Sequence, residues 1–390
     1  MFETRFVAGE RRTLVLLPFN LDRLLDDWTA LRSQMSRRKP DPFTRDEWAY
    51  LIGFLDRDHL EHAFRQAFGE RESETRDPVH AVALPGGPVA VWLPNNVSLL
   101  GPLVLILIST TGNPVWIKSG SRGDDLTKAF LDYAVANLPE GSLREQLTTA
   151  VVAETFSRED ARNGRWAADA RTRLVFGSDA AVGAVQALPH PVESMGFSFG
   201  HRESEAWLET SACDDRTLES LLRVFAVYGQ AACTSPARVV LLEETRTKAL
   251  ELRDRLLELW RTLFPRDPEM SVASAAIRDH QWAAARGWDS RLAPRHGSAF
   301  AVGDAEMPKP NGSRLLPLTA MTVEQALESL PARIQTIGHA VSRDRERQLL
   351  RRIVPRGVKR FVPLADMHRF GPIWDGQAFW QQTFDRMELA

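Results

Sequence analysis

Cys233 lies in Tyr228-Gly-Gln-Ala-Ala-Cys233-Thr-Ser-Pro236 and carries one of only two thiols in the chain. A thiolate at this point could attack a carbonyl and hold an acyl group, provided that a donor stabilises the oxyanion. Asn96, in Pro94-Asn95-Asn96-Val97, has an amide of the right type, although asparagines at strand ends also shape turns. Lys118-Ser119-Gly120-Ser121-Arg122 offers cations and small hydroxyls suited to a ribose or a phosphate. Gly177-Ser178 opens a helix whose N–H groups suit an anion, and His201-Arg202 supplies a cation or a proton donor. Each has an ordinary alternative. Cys233 reads more readily as a small buried hydrophobe, Lys118 as a solvated lysine and Ser178 as a helix cap, and His201 equally as a surface turn.

The surrounding elements place these residues at element ends. Leu218, Leu221, Leu222, Phe225 and Ala226 recur at helical spacing over 214–227, Gly229 terminates that helix, and 238–242 reads as a strand. Cys233 therefore falls on a turn between two rigid elements. Upstream, strands at 89–93, 114–118, 150–153, 173–176 and 192–199 alternate with helices at 97–109, 124–136, 158–168 and 180–188. Such alternation predicts a parallel sheet whose ligand crevice lies beyond the carboxyl ends of its strands, where Lys118 and Gly177-Ser178 fall. A second α/β unit follows, with helices at 245–263, 322–330 and 343–356 and a strand at 333–340. Residues 1–80 read mainly as helices, 265–315 carry no clear pattern, and the tail ends in a final helix. The predicted organisation is an N-terminal helical segment (1–80), a first α/β domain (81–208), a second α/β domain (209–360) and a C-terminal segment (361–390).

The chain has 390 residues, 44% hydrophobic and 26% charged, as a soluble globular protein of two or three domains would. A net charge of -2 argues against a general nucleic-acid binder. Two cysteines make no disulfide framework and point to a reducing cytoplasm. No apolar run is long enough to span a bilayer. No metal is expected: His59-Leu-Glu-His62 lacks a third ligand and reads as a solvated helix face. The chain has neither a G-x-G-x-x-G nor a Walker sequence.

Taken in order, these segments resemble the aldehyde dehydrogenase superfamily, and within it the long-chain acyl-CoA reductases that supply aldehyde to bacterial luciferase. Asn96-Val97 is similar to the family's oxyanion segment and Thr111-Gly-Asn-Pro-Val-Trp-Ile-Lys118 to its ribose-lysine strand. Gly177-Ser178 resembles the turn under the cofactor phosphates, and the Cys233 loop the nucleophile loop. Gln335-Thr-Ile-Gly338 and Gly371-Pro-Ile-Trp-Asp-Gly376 are similar to the reductase branch's C-terminal segments. The resemblance implies an α/β fold in which 81–208 is a Rossmann-type NADP(H)-binding domain with 1–80 packed on it, 209–360 is an α/β catalytic domain, and 361–390 returns to the cofactor domain or to an oligomer interface. It implies reduction of an acyl thioester, a fatty acyl-CoA or a carrier-bound acyl group, to the aldehyde, with coenzyme A as leaving group. In that scheme Cys233 is the nucleophile, Asn96 the oxyanion donor and His201 a catalytic proton donor or cation. Lys118, Ser119, Ser121, Arg122, Gly177 and Ser178 would bind the cofactor. Where aldehyde dehydrogenases carry a hydrolytic glutamate, this chain reads Phe197-Ser-Phe-Gly-His201, which favours reduction over hydrolysis. Glu203 and Glu205 stand nearby but out of register. Ser121 and Arg122, with no glutamate in the ribose turn, favour NADPH. The resemblance also implies a homo-oligomer and leaves room for an acyl-transferring partner protein. The alternatives are a nucleotide-independent cysteine acyltransferase or thioesterase, and a catalytically silent partner of the same fold.

Overall fold

Val89-Ala-Val-Trp92 is apolar at every position, which suits a strand covered on both faces. In a computed structural model of the protein it is the middle strand of a five-stranded parallel sheet. The structure describes residues 4–8, 13–71, 79–120, 125–228, 232–304 and 314–389, with backbone alone at 4–8, 13, 14, 71, 79 and 80. They form two compact units, Met1–Gly200 with Phe370–Ala390, and His201–Arg369.

The first unit begins with β1 (Thr4–Ala8), β2 (Thr13–Leu17), α1 (Leu21–Met35), α2 (Arg45–Phe54), α3 (Arg57–Phe68), β3 (Glu70–Arg71) and β4 (Val79–Pro85). There follow β5 (Val89–Trp92), α4 (Leu100–Ser109), β6 (Val115–Ser119), α5 (Leu126–Asn137), α6 (Ser142–Thr149) and β7 (Val151–Thr155). Then come α7 (Arg162–Asp169), β8 (Thr172–Phe176), α8 (Asp179–Gln186) and β9 (Met195–Phe199). The strand order β7-β6-β5-β8-β9 reverses direction beside β5, the point at which such sheets open a crevice. Helix α4 is buried along its whole length, as a helix apolar all round must be. The turn that follows it contains Gly112, whose φ of +77° is a left-handed conformation that glycine takes without penalty. Asn113, fully buried, then accepts from the Gly87 N–H at 2.9 Å and donates to the Thr383 carbonyl at 2.9 Å. The Thr111-Gly-Asn113 segment is thus a structural tie between β5 and the C-terminal tail.

The second unit runs through β10 (Glu203–Leu208), α9 (Asp215–Ala226), β11 (Pro236–Leu242), α10 (Arg246–Leu263), α11 (Met270–Ala285), β12 (Asp289–Leu292) and β13 (Ala299–Val302). It continues with β14 (Leu315–Met321), α12 (Val323–Glu328), β15 (Ile334–Ala340), α13 (Arg343–Ile353) and β16 (Arg360–Pro363). The sheet order is β12-β13-β14-β11-β10-β15-β16, parallel except at the β12 edge. Strand alternation sends Val239 and Leu241 into one core with Leu218, Leu221 and Phe225 of α9. Val240 and Leu242 face the other core, against Leu349 and Ile353 of α13. Burying a side chain of this size contributes about 1.5–3 kcal/mol, so the five buried apolar residues of α9 dominate its placement.

Residues 1–80 are mainly helical, through α1, α2 and α3, and carry in addition β1, β2, β3 and the start of β4, which join β17 (Phe384–Glu388) in a second sheet, order β17-β4-β2-β1-β3. Two expectations are corrected. The final element is β17, paired antiparallel to β4, and not a helix. Strand β10 precedes the boundary expected after 208, yet it pairs with β11 and β15 and belongs to the second unit.

Candidate active site

Helix α9, capped at its start by Asp214 accepting from the Thr217 N–H at 2.8 Å, leads to the Cys233 loop. Gly229, Gln230 and Ala231 lie outside the described residues; Cys233 is half-buried, and Thr234 and Ser235 are buried. The Ser235 N–H donates to the Ala232 carbonyl at 2.9 Å, closing a tight turn around Cys233. Fully buried Ser204, on β10, donates its hydroxyl to the Cys233 carbonyl at 2.6 Å and accepts from the Thr336 N–H at 3.3 Å. Thr234 Oγ1 lies 2.6 Å from His368 Nδ1, and His368 Nε2 lies 2.6 Å from the Val224 carbonyl. The ring of Tyr228 stands edge-on to His368 at 5.0 Å.

His201 is exposed and Arg202 half-buried in the turn before β10, three residues ahead of the Ser204 that holds the Cys233 carbonyl. Glu205 is fully buried in an ion pair with Arg238, Nε to Oε1 2.8 Å, and accepts from Trp207 Nε1 at 3.0 Å. Its carboxylate is committed to the interior of the sheet. The second thiol, Cys213, donates to the Glu209 carbonyl at 3.2 Å, and burial beside Asp214, Glu244 and Glu209 pushes it up to about 12. It stays protonated and unreactive at neutral pH.

In the first unit, Lys118 ends β6 opposite Trp92 of β5, which pairs in turn with Val175 of β8. Two strand spacings, about 10 Å, therefore separate the Lys118 end from the Gly177-Ser178 end. Lys118 is buried, its Nζ 3.4 Å from the Ser119 carbonyl and 5.2 Å above the Phe156 ring. Burial, then the nearby Arg158, holds its ammonium below the usual lysine range. Ser119 donates to Asp125 Oδ1 at 2.7 Å, and Thr155 donates to Asp125 Oδ2 at 2.9 Å. A Cβ on Gly120 would collide with Asn95 Oδ1 and lie 2.9 Å from the Pro94 carbonyl, so only glycine lets the two strand-end turns meet. They border a cavity of about 260 Å³ whose walls include Leu93, Asn95, Ser119, Gly120, Asp125 and Thr127. Asn95 lines it, and both Asn95 and the adjoining Asn96 are exposed. Ser178 caps α8 by accepting from the Ala181 N–H at 3.3 Å, and the Gly177 N–H donates to the Phe199 carbonyl at 3.1 Å. Ser121 and Arg122 lie outside the described residues.

A buried lysine, paired hydroxyls, an acceptor carboxylate and a glycine-only approach fit the ribose end of a nicotinamide dinucleotide. Among the described residues no cluster of His, Cys, Asp and Glu could hold a metal ion, and no helix is long and apolar enough to cross a membrane. Sequence reasoning missed Asp125, Ser204, Thr234 and His368; the first was hidden as an apparent plain helix start, the last by its distance along the chain.

The fold is that of the aldehyde dehydrogenases. A glyceraldehyde-3-phosphate dehydrogenase from Methanocaldococcus jannaschii, solved with NADP, superposes with a TM-score of 0.65 at 11% identity, over 95% of this chain and 90% of that one. Aldehyde dehydrogenase 21 from Physcomitrella patens, solved with succinate, gives 0.64 at 14% identity, over 95% and 86%. A mutant propionaldehyde dehydrogenase from Clostridium phytofermentans gives 0.61 at 10% identity, over 95% and 93%. No curated protein matches the chain. Residues 21–383 match the model of the family described as acyl-CoA reductase (LuxC). The chain belongs to that family and is an oxidoreductase of the acyl-CoA reductase class.

Proposed function

We propose that this protein reduces a fatty acyl-CoA to the aldehyde with NADPH, through an acyl group carried covalently on Cys233. The observation that carries the reading is the contrast between the two thiols: Cys233 is half-buried on a turn anchored through its own carbonyl, whereas Cys213 is locked in its protonated form. The Cys233 thiolate adds to the thioester carbonyl, with the Asn96 amide and the Cys233 backbone N–H assigned to the oxyanion. Losing one such donor lowers rates about 100- to 1000-fold. The carbon–sulfur bond to coenzyme A breaks, and coenzyme A leaves with the electron pair. NADPH, when bound, supplies the hydride that reduces the acyl carbonyl carbon. The thiohemiacetal on Cys233 then gives up its hydroxyl proton, its carbon–sulfur bond breaks, and aldehyde and thiolate separate. His201 is assigned to proton transfer and Glu205, held by Arg238, is excluded from it. The balance is acyl-CoA, NADPH and a proton in; aldehyde, coenzyme A and NADP out.

Lys118 and Ser119 are assigned to the ribose, Ser121 and Arg122 to its 2′-phosphate, and Gly177 and Ser178 to the pyrophosphate. The NADP in the Methanocaldococcus jannaschii enzyme supports this choice of cofactor. A carrier or partner protein as acyl donor, assembly as a homo-oligomer and a cytoplasmic setting belong to the same reading.

The test is NADPH oxidation with acyl-CoA thioesters of graded chain length, for wild type and Cys233→Ala. Wild-type turnover that Cys233→Ala abolishes is the expected result. No oxidation with any free or carrier-bound thioester overturns the reading, and product formed without NADPH favours the acyltransferase.

A further inference from the structure

We infer that His368 is a positioning residue that pins the nucleophile loop to the end of α9 through the Thr234 hydroxyl. The inference rests on Cys233 being the nucleophile.

The proton positions follow from the partners. The Val224 carbonyl can only accept, so His368 Nε2 carries the hydrogen across its 2.6 Å contact. His368 Nδ1 is then a lone pair, and Thr234 donates its hydroxyl to it at 2.6 Å. Val224 stands in the last turn of α9, where helix carbonyls lack an intrahelical donor, so the imidazole also completes the helix end. The neutral ring is the form that burial favours: desolvation holds its pKa down to about 4. One side chain thus joins a helix terminus to the residue directly after Cys233. Ser204 fixes the Cys233 carbonyl as well, at 2.6 Å. Together they leave the cysteine backbone little freedom, and attack on a carbonyl is sensitive to such freedom: displacement by about 1 Å can cost about 100-fold.

Thr234→Val keeps the side-chain shape and removes the hydroxyl, whereas Thr234→Ser keeps the hydroxyl. Two readouts apply to both variants and to His368→Gln. The first is hydrogen exchange of the peptide spanning 224–236; the second is single-turnover release of coenzyme A from dodecanoyl-CoA without NADPH. Thr234→Val should exchange faster by about fivefold to tenfold, the loss of one hydrogen bond, and Thr234→Ser should not. Coenzyme A release should slow about tenfold or more in Thr234→Val and recover in Thr234→Ser, with alkylation of Cys233 by iodoacetamide, which needs no oriented site, little changed. Adding His368→Gln to Thr234→Val should slow release no further, because both changes cut one link. Unchanged exchange and release in Thr234→Val overturn the inference, as does a fully additive double variant. A wild-type protein that releases no coenzyme A from any thioester sinks the reductase reading instead, and the exchange readout still decides whether the pin exists.

Discussion

Arg238 Nε lies 2.8 Å from Glu205 Oε1 with both side chains buried, and a second guanidinium nitrogen donates to the Ser329 hydroxyl at 2.8 Å. The pair bridges β10, whose Ser204 holds the Cys233 carbonyl, and β11, which follows the Cys233 turn. Removing one charge from such a pair strands the other, at a cost of about 3–5 kcal/mol. Glu205→Gln should therefore lower the urea midpoint strongly, while the fraction of acyl group released as free acid stays at the wild-type level. A rise or fall in acid release at preserved stability would reassign Glu205 to catalysis.

Burial, opposed by the bond to Val224 and aided by Arg360, sets the His368 pKa at about 4, below its ordinary 6.5. The unfolded chain thus binds a proton in a range where the folded chain does not, so stability rises with pH between those values. The contribution is complete above about 6.5 and is lost as pH falls towards 4, with a slope of at most about 1.4 kcal/mol per pH unit. Among the groups facing the imidazole are the Thr234 hydroxyl, the Val224 carbonyl, the Tyr228 ring and Arg360. Denaturant titrations between pH 4 and 7 should show a steeper loss in wild type than in His368→Gln. Parallel curves would mean that His368 titrates normally.

The two thiols should separate chemically. With Cys213 pushed up to about 12 and bonded to the Glu209 carbonyl, its thiolate is scarce at pH 8. Limited iodoacetamide treatment of the folded protein, followed by peptide mass analysis, should label Cys233 and spare Cys213. Activity should fall in step with the Cys233 label. Equal labelling of both, or full activity after complete labelling of Cys233, contradicts the assignment.

How much of this was legible in sequence depends on the reach of each interaction. The α9 face and the turn at Pro236 repeat every three or four residues, so the Cys233 loop could be located from local pattern alone. The parallel strands β5, β6 and β8 were legible for the same reason, as short apolar runs between helices. His368 was not, because it meets Thr234 across 134 residues and nothing near either residue announces the other. The N-terminal strands failed likewise: β4 is completed by β17 from the far end of the chain, and a strand without its partner reads ambiguously. Asp125 looked like an ordinary helix start, and only its two hydroxyl partners, from β6 and β7, tie it to the end of the Lys118 strand.

Gly120 and Lys118 give the sharpest handle on the cofactor. A methyl group at Gly120 would drive Asn95 and the Pro94 carbonyl away from the end of β6. The cavity of about 260 Å³ that these residues border would be reshaped. Lys118→Met keeps the buried stem over Phe156 and removes the charge and its hydrogen bonds, which are worth about 1.5–3 kcal/mol when a ligand shares them. Both variants should raise the KM for NADPH by about tenfold or more while leaving the rate of Cys233 acylation, measured as coenzyme A release without NADPH, near wild type. Because Lys118 is already desolvated, Lys118→Met should not lower the melting temperature and should even raise it slightly. A cofactor KM unaffected by either change would move the ribose away from this strand end, whereas loss of acylation in Lys118→Met would give the lysine a role in the chemistry itself.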